Sequence, residues 1–312
     1  MSFAFVFPGQ GSQSVGMLSD FADVGEVRTA FAEAGAALGY DLWALTQQGP
    51  AEQLNGTEYT QPAMLTAGVA LWRLWKARGG ADPVQLSGHS LGEFTALVCA
   101  GALSLAEAAD LVRFRGQAMQ EAVPAGTGAM AAILGLTDEQ VAASCSGAAQ
   151  GEVVAAVNFN APGQVVIAGT RAAVGRAIEI AKAAGAKRAL PLPLSVPSHC
   201  SLMAPAAQRL AVRLGGVRLV QPAIPYVSAV DARPHSQPDD IRQLLVAQLV
   251  SPVRWQDTVR ALAANGVAQI IECGPGKVLT GLNRRIEKRA DLACLALEDR
   301  ATFEAALAVT HC

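Results

Sequence analysis

The chain has 312 residues, of which 51% are hydrophobic and 16% charged, a composition typical of a well-buried globular α/β enzyme. Its net charge of −2, spread over both signs, gives no indication of a nucleic-acid partner, although it does not exclude a local basic patch. No apolar run reaches the roughly 18 residues of a membrane span, and residues 1–10 lack the basic start of a signal peptide. We therefore expect no membrane partner and no export.

The cysteine pattern predicts the redox compartment. The six cysteines lie far apart and form no C-x-x-C pair. This spacing favours neither a zinc site nor a disulfide framework, so we expect free thiols, no bound metal and a cytoplasmic location.

The first predicted element is a buried strand, the apolar run Phe3–Phe7, followed by a glycine-rich loop that contains Gln10. Loops at the carboxyl ends of strands bind ligands in open α/β sheets. The glycines at 9 and 11 begin a dinucleotide-binding pattern, but Ser14 stands where that pattern needs a third glycine, so we reject it. Helices are predicted next at 20–38, 49–54 and 61–78, with Pro62 in the first helical position.

The most informative segment is centred on Ser90. A short apolar run at 84–86 leads into G-H-S-L-G at 88–92, and an apolar-periodic helix follows at once. This strand, turn and helix form the context of a nucleophile elbow, in which the serine hydroxyl stands at a helix N-terminus. We expect the flanking glycines to permit the strained turn because they lack a Cβ. Amide donors at that helix end would stabilise an oxyanion.

A capping box at Ser104 and Glu107 predicts the start of the next helix, which runs to about 120. Arg113 lies three residues after Asp110 and can pair with it on the solvated side. Arg115 falls instead on the apolar stripe of the same helix. A buried guanidinium must meet an anion, and the sequence leaves two alternatives open: an internal carboxylate, or a carboxylate carried by the substrate.

From about residue 126 the predicted elements change from mostly helices to alternating strands and helices. Strands at 129–134, 153–159, 164–169 and 187–194 alternate with a helix that opens at Thr137 and a helix at 171–184, in the order βαββαβ. That order is typical of a ferredoxin-like unit. We therefore predict an inserted small domain at 126–194, with Asn158 and Asn160, together with Pro162 and Gly163, marking its central hairpin. The large domain then comprises 1–125 and 195–312.

After the insertion, strands are predicted at 224–230, 269–273 and 294–297. They alternate with helices at 202–214, 239–250, 256–265, 277–288 and 301–309. Strands that alternate with helices predict an α/β fold with a mainly parallel sheet covered on both faces.

A serine nucleophile needs a base, and the chain has four histidines. His89 lies inside the elbow, where its side chain should leave in a different direction from Ser90. His235 and His311 lie in polar segments that we expect to be solvated. His199, in a loop between a predicted strand and a helix, remains as the candidate base.

No acidic third member of a triad is evident between Ser90 and His199, because every Asp and Glu in that interval falls on a helix or in the insertion. We therefore expect a neutral acceptor, such as a backbone or amide carbonyl, to orient the imidazole. The residues alone leave a serine hydrolase or thioesterase open as an alternative activity. A carrier-binding module without catalysis fits poorly with a serine, a histidine and a buried arginine together.

Six segments, taken together, resemble the malonyl-CoA:acyl carrier protein transacylases of bacterial fatty-acid synthesis. They are FPGQGSQ at 7–13, GHSLGE at 88–93, VRFRG at 112–116, PSH at 197–199, QLVSPVRW at 248–255 and ECGPGKVLTGL at 272–282. All six occur in the family's order, and the similarity extends from residue 3 to about 308. The resemblance implies an α/β-hydrolase-like large domain with an inserted ferredoxin-like small domain, as the residues themselves predict.

The resemblance also implies roles for individual residues. Ser90 would be the nucleophile and His199 the base, with the backbone carbonyl of Gln248 as its acceptor. The implied reaction moves malonyl from malonyl-CoA to the phosphopantetheine thiol of acyl carrier protein through a malonyl-serine, with ping-pong kinetics. Both thioesters are substrates, and no cofactor is needed. Relatives that load polyketide synthase carriers or serve malonate decarboxylase remain alternatives.

The remaining implied roles concern the substrate. The backbone amides of Gln10 and Leu91 would hold the oxyanion, and Arg115 would hold the malonyl carboxylate. We further predict that Gln10, His89 and Asn160 contact the substrate.

Overall fold

Two β-sheets form the framework of the chain in the computed structural model, which describes residues 2–193 and 196–310. The first sheet has six strands in the order β10-β9-β1-β2-β7-β8, and all neighbours are parallel except β7 and β8. Its strands are β1 (Phe3–Phe7), β2 (Gln85–Gly88), β7 (Tyr226–Val227), β8 (Pro234–His235), β9 (Gln269–Glu272) and β10 (Ala293–Ala296). The chain is thus a mixed α/β protein with a mainly parallel sheet, as the alternation of elements predicts.

The second sheet is separate and fully antiparallel, in the order β4-β5-β3-β6. Its strands are β3 (Gly128–Leu134), β4 (Val154–Ala161), β5 (Gln164–Thr170) and β6 (Arg188–Pro191). The predicted element order βαββαβ is the one observed. The antiparallel sheet contacts the segment before the helix at Trp255–Ala264 through Val253, which exchanges backbone hydrogen bonds with Val157 and Phe159 of β4.

Thirteen helices occur in the described ranges. They are α1 (Gly25–Leu38), α2 (Leu42–Gln48), α3 (Ala51–Leu54), α4 (Thr57–Ala77), α5 (Gly92–Cys99), α6 (Leu105–Glu121), α7 (Asp138–Ala149), α8 (Arg171–Ala183), α9 (Ala204–Gly215), α10 (Pro238–Ala247), α11 (Trp255–Ala264), α12 (Val278–Ile286) and α13 (Arg300–Thr310). Only α7 and α8 lie within the insertion, where they pack beside each other against the antiparallel sheet.

Strand β1 shows why the large sheet is covered on both faces. Successive side chains of a strand point to opposite faces. Phe3, Phe5 and Phe7 pack into one apolar cluster with α1, α4 and α6, whereas Ala4 and Val6 pack into a second cluster with α11 and α12. Every residue of β1 is buried as a result.

The carboxyl ends of the parallel strands meet at one edge of the sheet. The loop that contains Gln10 follows β1, His89 and Ser90 follow β2, and Ser228 follows β7. Segments that are far apart in sequence therefore converge there, as in other open α/β sheets.

Two predicted helix starts are wrong. Helix α4 begins at Thr57, so Pro62 is its sixth residue and not its first. The first turn of α4 is largely polar, and an apolar pattern therefore does not reveal it. The predicted helix at 20–38 begins only at Gly25, after a short 3-10 helix at Ser19–Phe21, and α2 was not predicted at all.

Two predicted strand assignments also need correction. The strand expected at 224–230 shrinks to β7, because the amide of Ser228 bonds the carbonyl of Arg233 and turns the chain back. The hairpin turn falls at Pro162 and Gly163, as predicted, but Asn158 and Asn160 lie within β4 and not in the turn. The end of the last inserted strand and the boundary expected at 194/195 fall on residues outside the described ranges. The proposed domain limits at 125/126 and 194/195 stay predictions.

The N-terminus of α6 does not form the full capping box predicted at Ser104 and Glu107. Ser104 Oγ accepts from the backbone amide of Glu107 at 3.2 Å, as expected of an N-cap. The carboxylate of Glu107 accepts from that same hydroxyl at 2.6 Å and does not reach back to the backbone of Ser104. Within the described residues, no helix is both long and apolar enough to cross a membrane.

Candidate active site

Ser90 occupies the tight turn between β2 and α5, with a positive φ of 54°. Neither flanking glycine has a positive φ, so the strain of the turn lies in the serine and not, as predicted, in the glycines. The glycines are required by close packing instead. A Cβ on Gly88 would lie 1.9 Å from the carbonyl carbon of Gly92, and one on Gly92 would lie 2.0 Å from the carbonyl oxygen of Phe7.

The structure brings His199 to Ser90 across 109 positions of sequence, with Nε2 at 2.8 Å from Oγ. Its other ring nitrogen, Nδ1, lies 2.7 Å from the backbone carbonyl oxygen of Gln248. A carbonyl only accepts, so Nδ1 carries the hydrogen and Nε2 is left as the acceptor for the serine proton. No carboxylate takes part in this arrangement within the described ranges.

His199 is almost fully buried, at 4% exposure. Burial, and after it the positive charge of Arg115, lower the pKa of its imidazole to about 3. The imidazole is therefore neutral at physiological pH, which is the state that a general base requires.

Arg115 is buried on α6, at 1% exposure, as its place on the apolar stripe predicts. Its Nη1 donates to Gln61 Oε1 at 2.8 Å and its Nη2 to Gln248 Oε1 at 2.8 Å. Nη2 also lies 3.3 Å from Ser90 Oγ, whereas Nε is buried with no hydrogen-bond partner. Among the described residues, no carboxylate lies within ion-pair distance of this guanidinium. Arg113, by contrast, pairs with Asp110 at 2.5 Å, as predicted.

A small inner cavity of about 70 Å³ collects these groups. Its lining includes Gln10, Ser90, Leu91, Arg115 and His199. The backbone amides of Gln10 and Leu91 donate no hydrogen bond to any described residue. The cavity thus combines a serine hydroxyl, a neutral imidazole hydrogen-bonded to it, two free amide donors and a cation without a counter-ion in contact, a set of groups that suits acyl transfer.

A larger outer cleft of about 460 Å³ adjoins the inner cavity. Gln10, His89 and Asn158 line both spaces, and Asn160 and Val278 line the cleft alone. His89 Nε2 lies 2.8 Å from Asn160 Oδ1, so these two predicted substrate contacts are bound to each other at the wall. Side chains of both sheet regions form the cleft.

Among the described histidines, His235 lines neither cavity. His235 is half-buried and its Nε2 lies 2.9 Å from a carboxylate oxygen of Asp231, so it is not simply solvated as expected. His311 lies outside the described residues.

The comparison with protein families identifies the chain. The model of the acyl transferase domain matches residues 4–297. The chain belongs to this acyl transferase family.

Individual members of the family are very similar to the chain. The malonyl CoA-acyl carrier protein transacylase of Escherichia coli K12 is 59% identical, over 98% of both chains. The enzyme of the same description from Bacillus subtilis 168 is 44% identical, over 97% of this chain and 96% of its own.

Solved structures of the family superpose closely. An acyl carrier protein S-malonyltransferase from Vibrio cholerae has a TM-score of 0.95 and 56% identity, over 98% of this chain and all (100%) of its own. A malonyl-transacylase solved in complex with its type II PKS acyl-carrier protein has a TM-score of 0.97 and 54% identity, over 99% of this chain and 100% of its own.

Three residues of this acyl transferase site were missed at the sequence level. Gln61 holds the guanidinium of Arg115, Glu93 lies buried beneath the elbow, and Asn158 has a buried Oδ1 without a hydrogen-bond partner. Gln61 directly follows the polar first turn of α4, so its local sequence does not mark it as a partner of Arg115. Nothing in the sequence distinguishes Asn158 from an ordinary hairpin asparagine. Among the described residues, no three His, Cys, Asp or Glu side chains are grouped to hold a metal ion.

Proposed function

We propose that the chain transfers malonyl from malonyl-CoA to the phosphopantetheine thiol of an acyl carrier protein, through a malonyl ester on Ser90. The observation that carries this proposal is Arg115, a buried guanidinium without a contacting carboxylate, 3.3 Å from the serine hydroxyl. Such a cation suits an acyl group that ends in a carboxylate. The activity is that of the named relatives in fatty-acid synthesis.

The first half-reaction begins at the serine. His199 Nε2 accepts the proton of Ser90 Oγ as the oxygen attacks the thioester carbonyl carbon. The carbonyl of Gln248 holds Nδ1–H and so keeps the imidazole in the required tautomer. The negative charge on the carbonyl oxygen is met by the free amides of Gln10 and Leu91. The carbon–sulfur bond then breaks, and the CoA thiolate takes the proton from His199.

The second half-reaction runs the same steps with a different thiol. The carrier's phosphopantetheine thiol gives its proton to His199 and attacks the malonyl ester. Ser90 leaves as alkoxide and recovers the proton, so the free enzyme is restored. One thioester replaces another of similar energy, and we therefore propose no cofactor and no metal for the reaction.

The malonyl carboxylate has a second effect in this scheme. Arg115 contributes to the low pKa of His199. A carboxylate bound at Arg115 offsets that positive charge, so the imidazole gains basicity when the correct acyl group is present. The charged acyl group is thus favoured both by binding and by activation of the base.

The pantetheine arm of either substrate must pass through the outer cleft to reach Ser90. We assign His89 and Asn160 to this passage, since their mutual hydrogen bond presents a polar wall to an amide-containing chain. Gln10 lines both spaces and serves at the junction. We also infer a cytoplasmic location, where CoA thioesters are made.

The finer description of the fold is also part of the proposal. A parallel sheet with a serine at a strand–helix turn supports a hydrolase-like large domain. The antiparallel order β4-β5-β3-β6 with two helices supports a ferredoxin-like insertion.

A carrier of polyketide synthesis is the second candidate partner. One observation favours it, namely the close similarity to the malonyl-transacylase that was solved with a type II PKS acyl-carrier protein. Both candidates share the same acyl-enzyme and differ only in the acceptor.

The proposal is tested by intact mass after mixing with malonyl-CoA. We expect the parent chain to gain one malonyl group and to lose it when a phosphopantetheine-loaded carrier is added. Ser90→Ala should remain unmodified. The control Ser87→Ala removes a hydroxyl of β2 that donates to the backbone carbonyl of Val227 in β7, and it should still be acylated. A parent chain that never carries malonyl, or a Ser90→Ala chain that does, would contradict the proposal.

A further inference from the structure

Two buried charged side chains beneath the active site have no contacting partner of opposite charge. Arg115 and Glu93 are each 1% exposed. Burying an unpaired charge is costly, so each must be compensated in another way. The structure places a single group between them, the side-chain amide of Gln248.

The amide of Gln248 is oriented to suit both charges. Its Oε1 accepts from Arg115 Nη2 at 2.8 Å, and its Nε2 donates to Glu93 Oε1 at 2.8 Å. Nε2 also donates to the backbone carbonyl of Ser90 at 2.9 Å. A flipped amide would lose both Nε2 bonds and would turn N–H groups toward the guanidinium, so the amide has one favoured orientation.

The other side of Glu93 is also hydrogen-bonded. Oε2 accepts from Ser228 Oγ at 3.0 Å and from the hydroxyl of Tyr226. The ionisable or charged groups that face the carboxyl are therefore Arg115 on α6 and Tyr226 on β7. Burial raises the pKa of Glu93 to about 7, against the lowering effect of its hydrogen bonds and of Arg115.

We propose that Glu93 is a positioning residue for acyl selection, which balances Arg115 through the amide of Gln248 and by its charge sets how strongly Arg115 holds the acyl carboxylate. The inference rests on the proposed function. Glu93 touches neither the substrate nor the reacting atoms. It acts by orienting Gln248 and by adding or withholding a negative charge one amide away from the guanidinium.

The negative charge of Glu93 should weaken, and not strengthen, the binding of malonyl at Arg115. When Glu93 is ionised, its charge repels the incoming carboxylate and competes for Arg115, so malonyl is held less strongly. When Glu93 is neutral, Arg115 is uncompensated and malonyl is held more strongly. A neutral acetyl group should not respond, because it places no charge at Arg115.

The experiment compares acylation of Ser90 by malonyl-CoA and acetyl-CoA between pH 5.5 and 8.5. The ratio of the two kcat/KM values cancels the shared CoA phosphates, and the malonyl carboxylate stays ionised throughout. In the parent we expect the malonyl-to-acetyl ratio to fall by roughly fivefold as Glu93 ionises, the size expected for two charges separated by about 8 Å in a partly polar site.

Glu93→Gln keeps the size of the side chain and stays neutral: its Oε1 can still accept from Gln248 Nε2, while its Nε2 must donate to the hydroxyl of Tyr226 or Ser228, which can accept. We expect a high ratio that does not change with pH.

The matched control is Glu272→Gln. Glu272 is also buried, with a pKa raised to about 7 by burial, but its carboxylate accepts from the amides of Leu279 and Thr280 at the start of α12. This control should keep the falling ratio of the parent.

The outcomes separate the inference from the proposed function. A parent that acylates Ser90 with malonyl at a ratio independent of pH overturns the inference alone, and this measurement does not depend on any variant folding. A Glu93→Gln chain that follows the parent's profile also overturns it. A parent that accepts no malonyl at all contradicts the proposed function instead.

Discussion

The inner cavity and the outer cleft are neighbours, yet their polar groups are satisfied in different ways. In the inner cavity, Arg115 has amide partners but no carboxylate, and the amides of Gln10 and Leu91 have no acceptor. In the outer cleft, His89 and Asn160 already satisfy each other at 2.8 Å. The inner cavity therefore holds polar groups that lack a partner in the absence of a substrate, whereas the His89–Asn160 pair in the cleft wall is already satisfied.

We infer from this difference that the inner cavity selects the acyl group, whereas the outer cleft binds the rest of any thioester. A polar group that lacks a partner gains a large binding free energy only from a ligand that supplies that partner. Such a group therefore discriminates between ligands. Groups that are already bonded to each other contribute contact without strong discrimination. We therefore expect changes in the inner cavity to alter which acyl group reacts, and changes in the cleft to alter how well any thioester binds.

A large loss that extends to both acyl groups is expected of His199→Ala. Removal of a general base should slow transfer of both acyl groups by about 100-fold or more, because Ser90 then keeps its proton. Rates of acylation by malonyl-CoA and acetyl-CoA, with a thermal unfolding curve for each variant, measure this loss. His235→Ala removes a histidine bound to Asp231 away from both cavities and should retain activity. Near-full transfer by His199→Ala at neutral pH would return His199 to a structural role.

A smaller effect is expected from Asn160→Ala in the cleft. Loss of the bond to His89 should raise KM for malonyl-CoA and acetyl-CoA together by about 3- to 10-fold, as for one neutral hydrogen bond. The ratio of the two substrates should not change. Asn265→Ala, whose amide bonds Gln85 at the opposite end of β2, is the control. A selective loss of malonyl transfer in Asn160→Ala would contradict the claim that the cleft does not discriminate between acyl groups.

The sequence predicted the chemistry of the inner cavity better than its geometry. The elbow around Ser90 and the buried position of Arg115 follow from local patterns, namely strand–turn–helix and a helical apolar stripe. The candidate base His199 could be found by elimination because the chain has few histidines. From the residues alone its acceptor could be predicted only as some neutral carbonyl, since no local pattern reports a contact between residues 199 and 248; Gln248 was named only through the family resemblance.

The parts that were not predicted depend on tertiary contacts. The pairing of Glu93 with Gln248 joins residues 155 positions apart, and the partner of Arg115 at Gln61 lies 54 positions away. The first turn of α4 was missed because it is polar, and β7 was overextended because only two of its residues pair with β2. Periodicity reports which face of an element is buried, but not which side chains meet there.

The central claim is that Arg115 selects a charged acyl group for Ser90, and competition between malonyl-CoA and acetyl-CoA tests it most directly. The mass of the Ser90 peptide after a brief exposure to both thioesters gives the ratio. In Arg115→Ala we expect malonylation to fall by roughly 30-fold to several thousand-fold, because a charge-assisted pair worth about 2 to 5 kcal/mol is lost. Acetylation should stay equal or improve.

Two further variants complete that measurement. Arg115→Lys should recover malonylation only in part, because an ammonium cannot reproduce the planar pair of donors. Arg113→Ala, two residues away on α6 and paired with Asp110, should leave the ratio unchanged. If Arg115→Ala instead lowers both acylations equally and also lowers Tm, Arg115 is a structural cation and its role in selection is contradicted.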